Sequence, residues 1–173
     1  GTHRHFVKMW TLQDLIPNVA KIKTGRSYDK GRDLFKEAGC FQCHAIKGQG
    51  MQTGPELTKI AEKYNGVELL NQIINPSEAV DELFESFVVE TNDFFTYSGF
   101  IVEQNDKEVR LRTNPLDPDD IKVIPRNTID KIETSTLSAM PTGLLTTLQE
   151  DDIYDLVAYI LSGDNADDPA FNQ

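Results

Sequence analysis

The 173 residues carry 28 Asp and Glu against 17 Lys and Arg, a net charge of −11 at pH 7, with 39% hydrophobic and 26% charged residues. That balance suits one soluble globular domain, or one domain with an insertion, and it argues against nucleic acid, whose phosphates call for clustered Lys and Arg. The longest apolar run, LVAYIL at 156–161, is far too short for a transmembrane segment, and the acidity fits either a basic partner or plain solubility.

The chain opens GTHRHFVKMW, with neither an initiator Met nor an apolar leader, so a mature or excised piece is expected. TLQDLIPNVAKIK then reads as an amphipathic helix. Thr11 and Asp14 form a capping-box pair, and Leu12, Leu15, Ile16 and Val19 share one face. Pro17 should kink or split it. A second helix, YDKGRDLFKEAG, is expected between the cap Ser27 and Gly39. PELTKIAEKY and GVELLNQIINPS read as two short helices, parted by Asn65-Gly66 and stopped at Pro76.

From about residue 83 the grain changes. ESFVVET, FFTYSGFIVEQ, EVRLRT, IKVI and NTIDKIE are rich in β-branched and aromatic residues with turn residues between them, the pattern of a small antiparallel sheet or partial barrel. Helices return at SAMPTGLLTTLQEDDIYDLVAYILSG, where Ile153, Leu156, Val157 and Ile160 mark a buried stripe and Gly163 a C-cap. EDD at 150–152 is favourable charge for the first turn of that helix. The tail DNADDPAFNQ is expected to be loosely held. In NPLDPDD, Asp117, Asp119 and Asp120 offer oxygens for calcium, but the spacing is not that of an EF-hand, and Pro115 and Pro118 favour a solvated turn.

Both cysteines fall in GCFQCHAIKGQG, followed by one of the three histidines. Three chemistries compete for Cys40, Cys43 and His44: a redox pair, a zinc site, or a covalently attached haem. A structural zinc site needs four Cys or His ligands, and only the distant His3 and His5 remain to complete one. A thioredoxin-like pair belongs in a strand–helix context, whereas this motif follows a helical stretch. The C-x-x-C-H spacing is the c-type haem attachment signature, with thioethers on both sulfurs and the imidazole as proximal ligand. The second axial position then has the candidates Met9, Met51, Met140, His3 and His5. Met140 stands out, because Pro141 stiffens the approach and an amphipathic helix anchors the loop behind it; Met51 reads better as a gap-filler.

The stretches GRDLFKEAGCFQCH, GPELT and MPTGLLTTLQEDDIYDLVAYI resemble the mono-haem cytochrome c family. The resemblance implies that Cys40 and Cys43 carry one haem c, that His44 and Met140 are its axial ligands, and that the Pro55 carbonyl accepts the proximal ring N–H. It also implies that Gly31 and Phe35 meet Tyr159 where the first haem-domain helix crosses the last. Cys43 and Met140 lie 97 residues apart, more than a compact cytochrome c uses, so the strand-rich block reads as an insertion. With WTLQDL before it and GDNADDPAFNQ after it, the chain is similar to the haem-binding domain found in Planctomycetes and Verrucomicrobia. That domain usually ends large secreted or periplasmic proteins whose other domains resemble sugar or alcohol dehydrogenases. The expected architecture is a mainly α cytochrome c-like fold with a small antiparallel β insertion: an N-terminal extension (1–27), a haem domain (28–82 and 137–165), the insertion (83–136) and a tail (166–173).

The function this implies is one-electron transfer, not an enzyme activity of its own, with electrons accepted from a dehydrogenase domain or redox partner protein in the periplasm or outside the cell. The alternative is an open-site haem for gas sensing or peroxide chemistry, the sheet controlling the distal side, with Phe94, Phe95, Tyr97 and Phe100 as shielding residues or as the sheet's own core. A third reading makes the sheet a docking module.

Overall fold

A computed structural model describes residues 4–172. They form two compact units: one from the residues up to Pro76 together with those from Pro141 onward, the other Ser77–Met140. The protein is mixed, with four α-helices and a five-stranded antiparallel sheet among the described residues.

The first unit is built on its last helix. Helices α1 (Leu12–Leu15), α2 (Tyr28–Glu37), α3 (Gly66–Ile74) and α4 (Glu150–Ser162) all belong to it. Every residue of α4 from Asp152 to Ile160 is buried, not only the expected stripe. A helix covered all round needs neighbours on all sides. Helix α2 crosses it at Gly31, where an added Cβ would fall within 2.6 Å of the Tyr159 Cβ and still nearer the Asp155 carbonyl. The Phe35 and Tyr159 rings pack 5.7 Å apart, and Tyr28 meets Tyr159 edge-on at 5.7 Å. On another side the Tyr154 hydroxyl donates to the Leu15 carbonyl (2.9 Å), and the Trp10 indole N–H donates to the Leu148 carbonyl (3.0 Å).

The capping box of α1 is present, Thr11 and Asp14 exchanging hydrogen bonds. After one turn Pro17 splits the segment as expected, and Ile16–Lys23 continues as a 3-10 helix. Asn65 and Glu68 cap α3 reciprocally. PELTKIAEKY departs from expectation, with only a 3-10 turn at Ile60–Glu62. Its backbone is engaged elsewhere: the Leu57 N–H donates to the Ala45 carbonyl (2.9 Å), and Glu56 accepts from Thr58. The tail is pinned, not loose. Ala170 is buried, its carbonyl and that of Asn172 accept from Arg26 and Gly25 (both 2.9 Å), and Phe171 packs on Tyr28.

The second unit is a meander that doubles back. Its strands are β3 (Phe87–Thr91), β4 (Thr96–Gln104), β5 (Glu108–Arg112), β6 (Ile121–Pro125) and β7 (Ile129–Thr134), in the order β6-β5-β4-β3-β7. The register shifts at Glu90/Thr91 and at Ile101/Glu103, irregularities that bend strands and let a small sheet curl. Val89, Leu111 and Ile124 form its core, with Tyr97, Ile101, Ile129 and Ile132 against it. Phe94 and Phe95 are not core residues: they are 97% and 57% exposed. NPLDPDD is a turn, Asp117 accepting from the Asp119 N–H (3.0 Å) and Asp120 bonding to Thr113.

Asp152 and Asp155 are buried in α4 and satisfied from the elements around it. Lys30 lies 2.5 Å and Arg4 3.1 Å from Asp152, while Arg26 and the Ser27 N–H reach Asp155 at 3.5 and 3.1 Å. Burial alone would raise the Asp152 pKa, but the Lys30 hydrogen bond, the Gln149 N–H and the charges of Lys30 and Arg4 outweigh it and hold the carboxyl below its ordinary 3.8. A depressed carboxyl stabilises the fold above its unfolded pKa, and that stability is lost as pH falls through the folded value. Asp152→Asn should therefore cost about 1–2 kcal/mol at pH 7, with the gap to the parent chain closing below about pH 4 in urea titrations. Gly31→Ala should cost about 2–3 kcal/mol, read as an earlier urea midpoint at unchanged slope.

Candidate functional site

Helix α2 runs straight into the cysteine motif. It stops at Ala38, Gly39 turns left-handed (φ 85°), and Cys40–Gln42 form one 3-10 turn. The Cys43 and His44 N–H groups both donate to the Cys40 carbonyl, at 3.1 and 2.9 Å, which folds the pentapeptide on itself. A small hairpin that composition did not announce follows, β1 (Ala45–Ile46) against β2 (Gln49–Gly50). Its turn, Lys47-Gly48, has positive φ at both residues, as a tight two-residue hairpin requires.

The hairpin sends the chain back across the imidazole. His44 Nδ1 lies 2.7 Å from the Pro55 carbonyl, so it carries the proton and donates, leaving Nε2 as the nitrogen with a free lone pair. Burial pushes the His44 pKa down, against the pull of the Pro55 carbonyl, which favours the neutral ligating form. Gly54 makes the approach possible: an added Cβ would sit 2.9 Å from the ring Cε1 and 3.1 Å from Nδ1. Its N–H donates to the Cys43 carbonyl (2.7 Å), closing the loop on the motif. Gly54 was missed in the sequence, although a glycine directly before a proline that faces a histidine is a signal of close backbone approach.

Cys40 and Cys43 are not bonded to each other, and both are half-buried. Burial first, and the neighbouring Cys43 further, push the Cys40 thiol up to about 12, with the Cys40 backbone opposing. No three His, Cys, Asp or Glu side chains converge on one point among the described residues, so the zinc reading lacks its ligand set. Two thiols with an oriented neutral imidazole next to them form a donor set that fits a haem c. Thr53 points the same way: it is buried beside Gly54, and its hydroxyl has no hydrogen-bond partner, an unmet need of the kind a bound group leaves.

Of the other candidates, Met140 is the last residue of the second unit, half-buried, with its N–H on the Ser138 hydroxyl (3.1 Å). Met9 is 63% exposed and His5 is exposed. Met51 is half-buried, its N–H on the Phe41 carbonyl (3.2 Å). His3 lies outside the described residues.

The cytochrome c family profile matches residues 28–164, most of the chain. The chain belongs to the cytochrome c family. A second likeness is to the cbb3-type cytochrome c oxidase subunit CcoP of Helicobacter pylori, 34% identical over 59 residues, which are 34% of this chain and 20% of that subunit. The chain thus spans about a fifth of that relative's length. As a cytochrome c it carries covalent haem c. No helix among the described residues is long and apolar enough to cross a membrane.

Gly54→Ala should push the ring off the Pro55 carbonyl. The expected result is a loss of about 1–3 kcal/mol in urea unfolding, together with a shifted haem absorption spectrum; a spectrum identical to the parent's would mean that the ring is not held by this contact.

Proposed function

We propose that this chain is a one-electron carrier in which Cys40 and Cys43 hold the haem through thioethers, His44 is the proximal ligand and Met140 the distal one. The observation that carries the reading is the 2.7 Å contact between His44 Nδ1 and the Pro55 carbonyl. A backbone acceptor at that place fixes the tautomer, aims Nε2 and raises the basicity of the ring. The haem, when bound, supplies an iron that alternates between ferrous and ferric states. The protein's part is to hold both axial donors and to keep water from the proximal nitrogen, and burial of His44 serves the second purpose.

Met140 is supported by its neighbours. Ser138 fixes its N–H, and Pro141 limits the backbone directly after it. A thioether donor favours the ferrous state and raises the potential. The strand-rich block from 83 to 136 is an insertion in the cytochrome domain, and the chain takes electrons from a dehydrogenase domain or redox partner protein in the periplasm or outside the cell, as its Planctomycete-type resemblance implies. The likeness to an oxidase subunit supports the same role, a haem c domain serving a larger redox protein.

Optical spectra of the ferric and ferrous forms, with carbon monoxide added to the reduced sample, test the ligand set. A low-spin spectrum with a weak far-red sulfur-to-iron band, unmoved by carbon monoxide, is the expected result. Met140→Ala should lower the potential, abolish that band and admit carbon monoxide. Ready carbon monoxide binding by the parent chain would instead favour an open site for gas or peroxide chemistry.

A further inference from the structure

The acidity of this protein is uneven. Ser77–Met140 hold fourteen Asp and Glu against six Lys and Arg, a net charge of −8, while the longer remainder of the chain is at −3. The same acidic unit displays the most exposed large apolar side chain among the described residues, Phe94, at 97%. Phe94 sits at the tip of the β3–β4 hairpin with φ 67°, a left-handed conformation that glycine and asparagine adopt readily and a bulky aromatic residue does not.

Two local costs thus meet in one residue: a phenyl ring in water and a backbone in a region its side chain disfavours. The turn around it is firmly specified. The Phe94 N–H donates to the Thr91 carbonyl and the Thr91 N–H to the Phe95 carbonyl, both at 2.9 Å. The Thr91 hydroxyl accepts from the Phe95 N–H (3.2 Å) and donates to Asp93 (2.5 Å). The Asn92 N–H reaches the Thr128 carbonyl (2.8 Å), anchoring the tip to the turn before β7. Next to Phe94, Phe95 is 57% exposed and stacks on Tyr97 at 6.2 Å, with the Lys122 ammonium 5.1 Å from the Tyr97 ring. The result is a hydrogen-bonded aromatic prow with no cation in the turn from Asn92 to Phe95.

We propose that this tip, Phe94 backed by Phe95, is the docking anchor for a partner protein that presents an apolar pocket rimmed by Lys and Arg. Rigid, preorganised aromatic anchors that fill pockets are the usual centres of binding energy, and complementary charge speeds the encounter and sets its register. A charge of −8 repels a second copy of this unit and an anionic lipid surface alike. The identity of the partner as a redox protein rests on the electron-carrier reading; the anchor itself does not.

The test places a photo-reactive benzoyl-phenylalanine at position 94 of the full-length protein in its native host cells, with position 106, in the β4–β5 turn, as control. One dominant crosslink is expected from position 94 and not from 106, onto a peptide that combines apolar residues with Lys or Arg. The protein so identified should bind the haem-loaded Phe94→Gly chain about thirtyfold more weakly than the parent, and bind the parent more weakly as salt rises. Phe94→Gly and Phe94→Asn should melt no lower than the parent, since both residues suit the left-handed conformation, and should keep its haem spectrum. Crosslinks that are absent, scattered, acidic, onto lipid or onto a second copy overturn the proposal, as does unchanged binding by both variants. A spectrum showing that Met140 is not a ligand would overturn the ligation and leave the crosslink result standing.

Discussion

The crossing of α2 over α4 at Gly31 is the constraint on which the first unit depends. Only the absent side chain lets the α2 backbone come down onto the Asp155 carbonyl and the Tyr159 Cβ. That approach buries Leu34 and Phe35 on one helix and the full run Asp152–Ile160 on the other. Each fully buried Leu, Ile or Phe contributes about 1.5–3 kcal/mol, so the crossing gathers much of the unit's hydrophobic stabilisation around one helix. The polar residues follow the same geometry. Asp152 and Asp155 are tolerated in the interior because Arg4, Arg26 and Lys30 come to them from the segments packed on α4. A buried carboxylate left without those partners would be strongly unfavourable, so the ion pairs key which segments cover which side of the helix.

The cysteine motif inherits its position from that crossing. It follows α2 without a linker, after Gly39, so the helix that packs on α4 also sets where Cys40 begins. From there the local backbone takes over. The β1–β2 hairpin returns the chain, the Gly54 N–H closes on the Cys43 carbonyl, and the Pro55 carbonyl meets His44 Nδ1. Burial keeps the imidazole neutral, and the backbone acceptor fixes which nitrogen carries the proton. The orientation needed for ligation thus comes from a short run of consecutive residues that begins where α2 ends.

The second unit follows a different economy. It has a small core, chiefly Val89, Leu111 and Ile124, and most of its large charge faces water. An exposed aromatic tip in an otherwise acidic module conflicts with what solubility alone selects, and it is local conflicts of this kind that mark surfaces shaped for contact.

Much of this was legible in one dimension. The spacing Cys40-Cys43-His44, the caps Thr11 and Ser27, the breaks at Pro17 and at Asn65-Gly66 and the five strands with their turns are short-range signals, and each appears in the structure. Three features were not legible. PELTKIAEKY has helical composition but spends its backbone on Ala45 and the Glu56–Thr58 bonds. The polar tail is held by hydrogen bonds to Gly25 and Arg26, far away in sequence. Phe94 and Phe95 read as sheet core, yet the β3–β4 turn carries them out of it. Sequence by itself determined which residues could do chemistry and where the regular elements would begin, because those depend on neighbours a few positions apart. Only the tertiary structure decided that α4 is enclosed, that Gly54 clears space for the imidazole and that two aromatic rings face solvent, because burial is settled by groups that meet from distant parts of the chain.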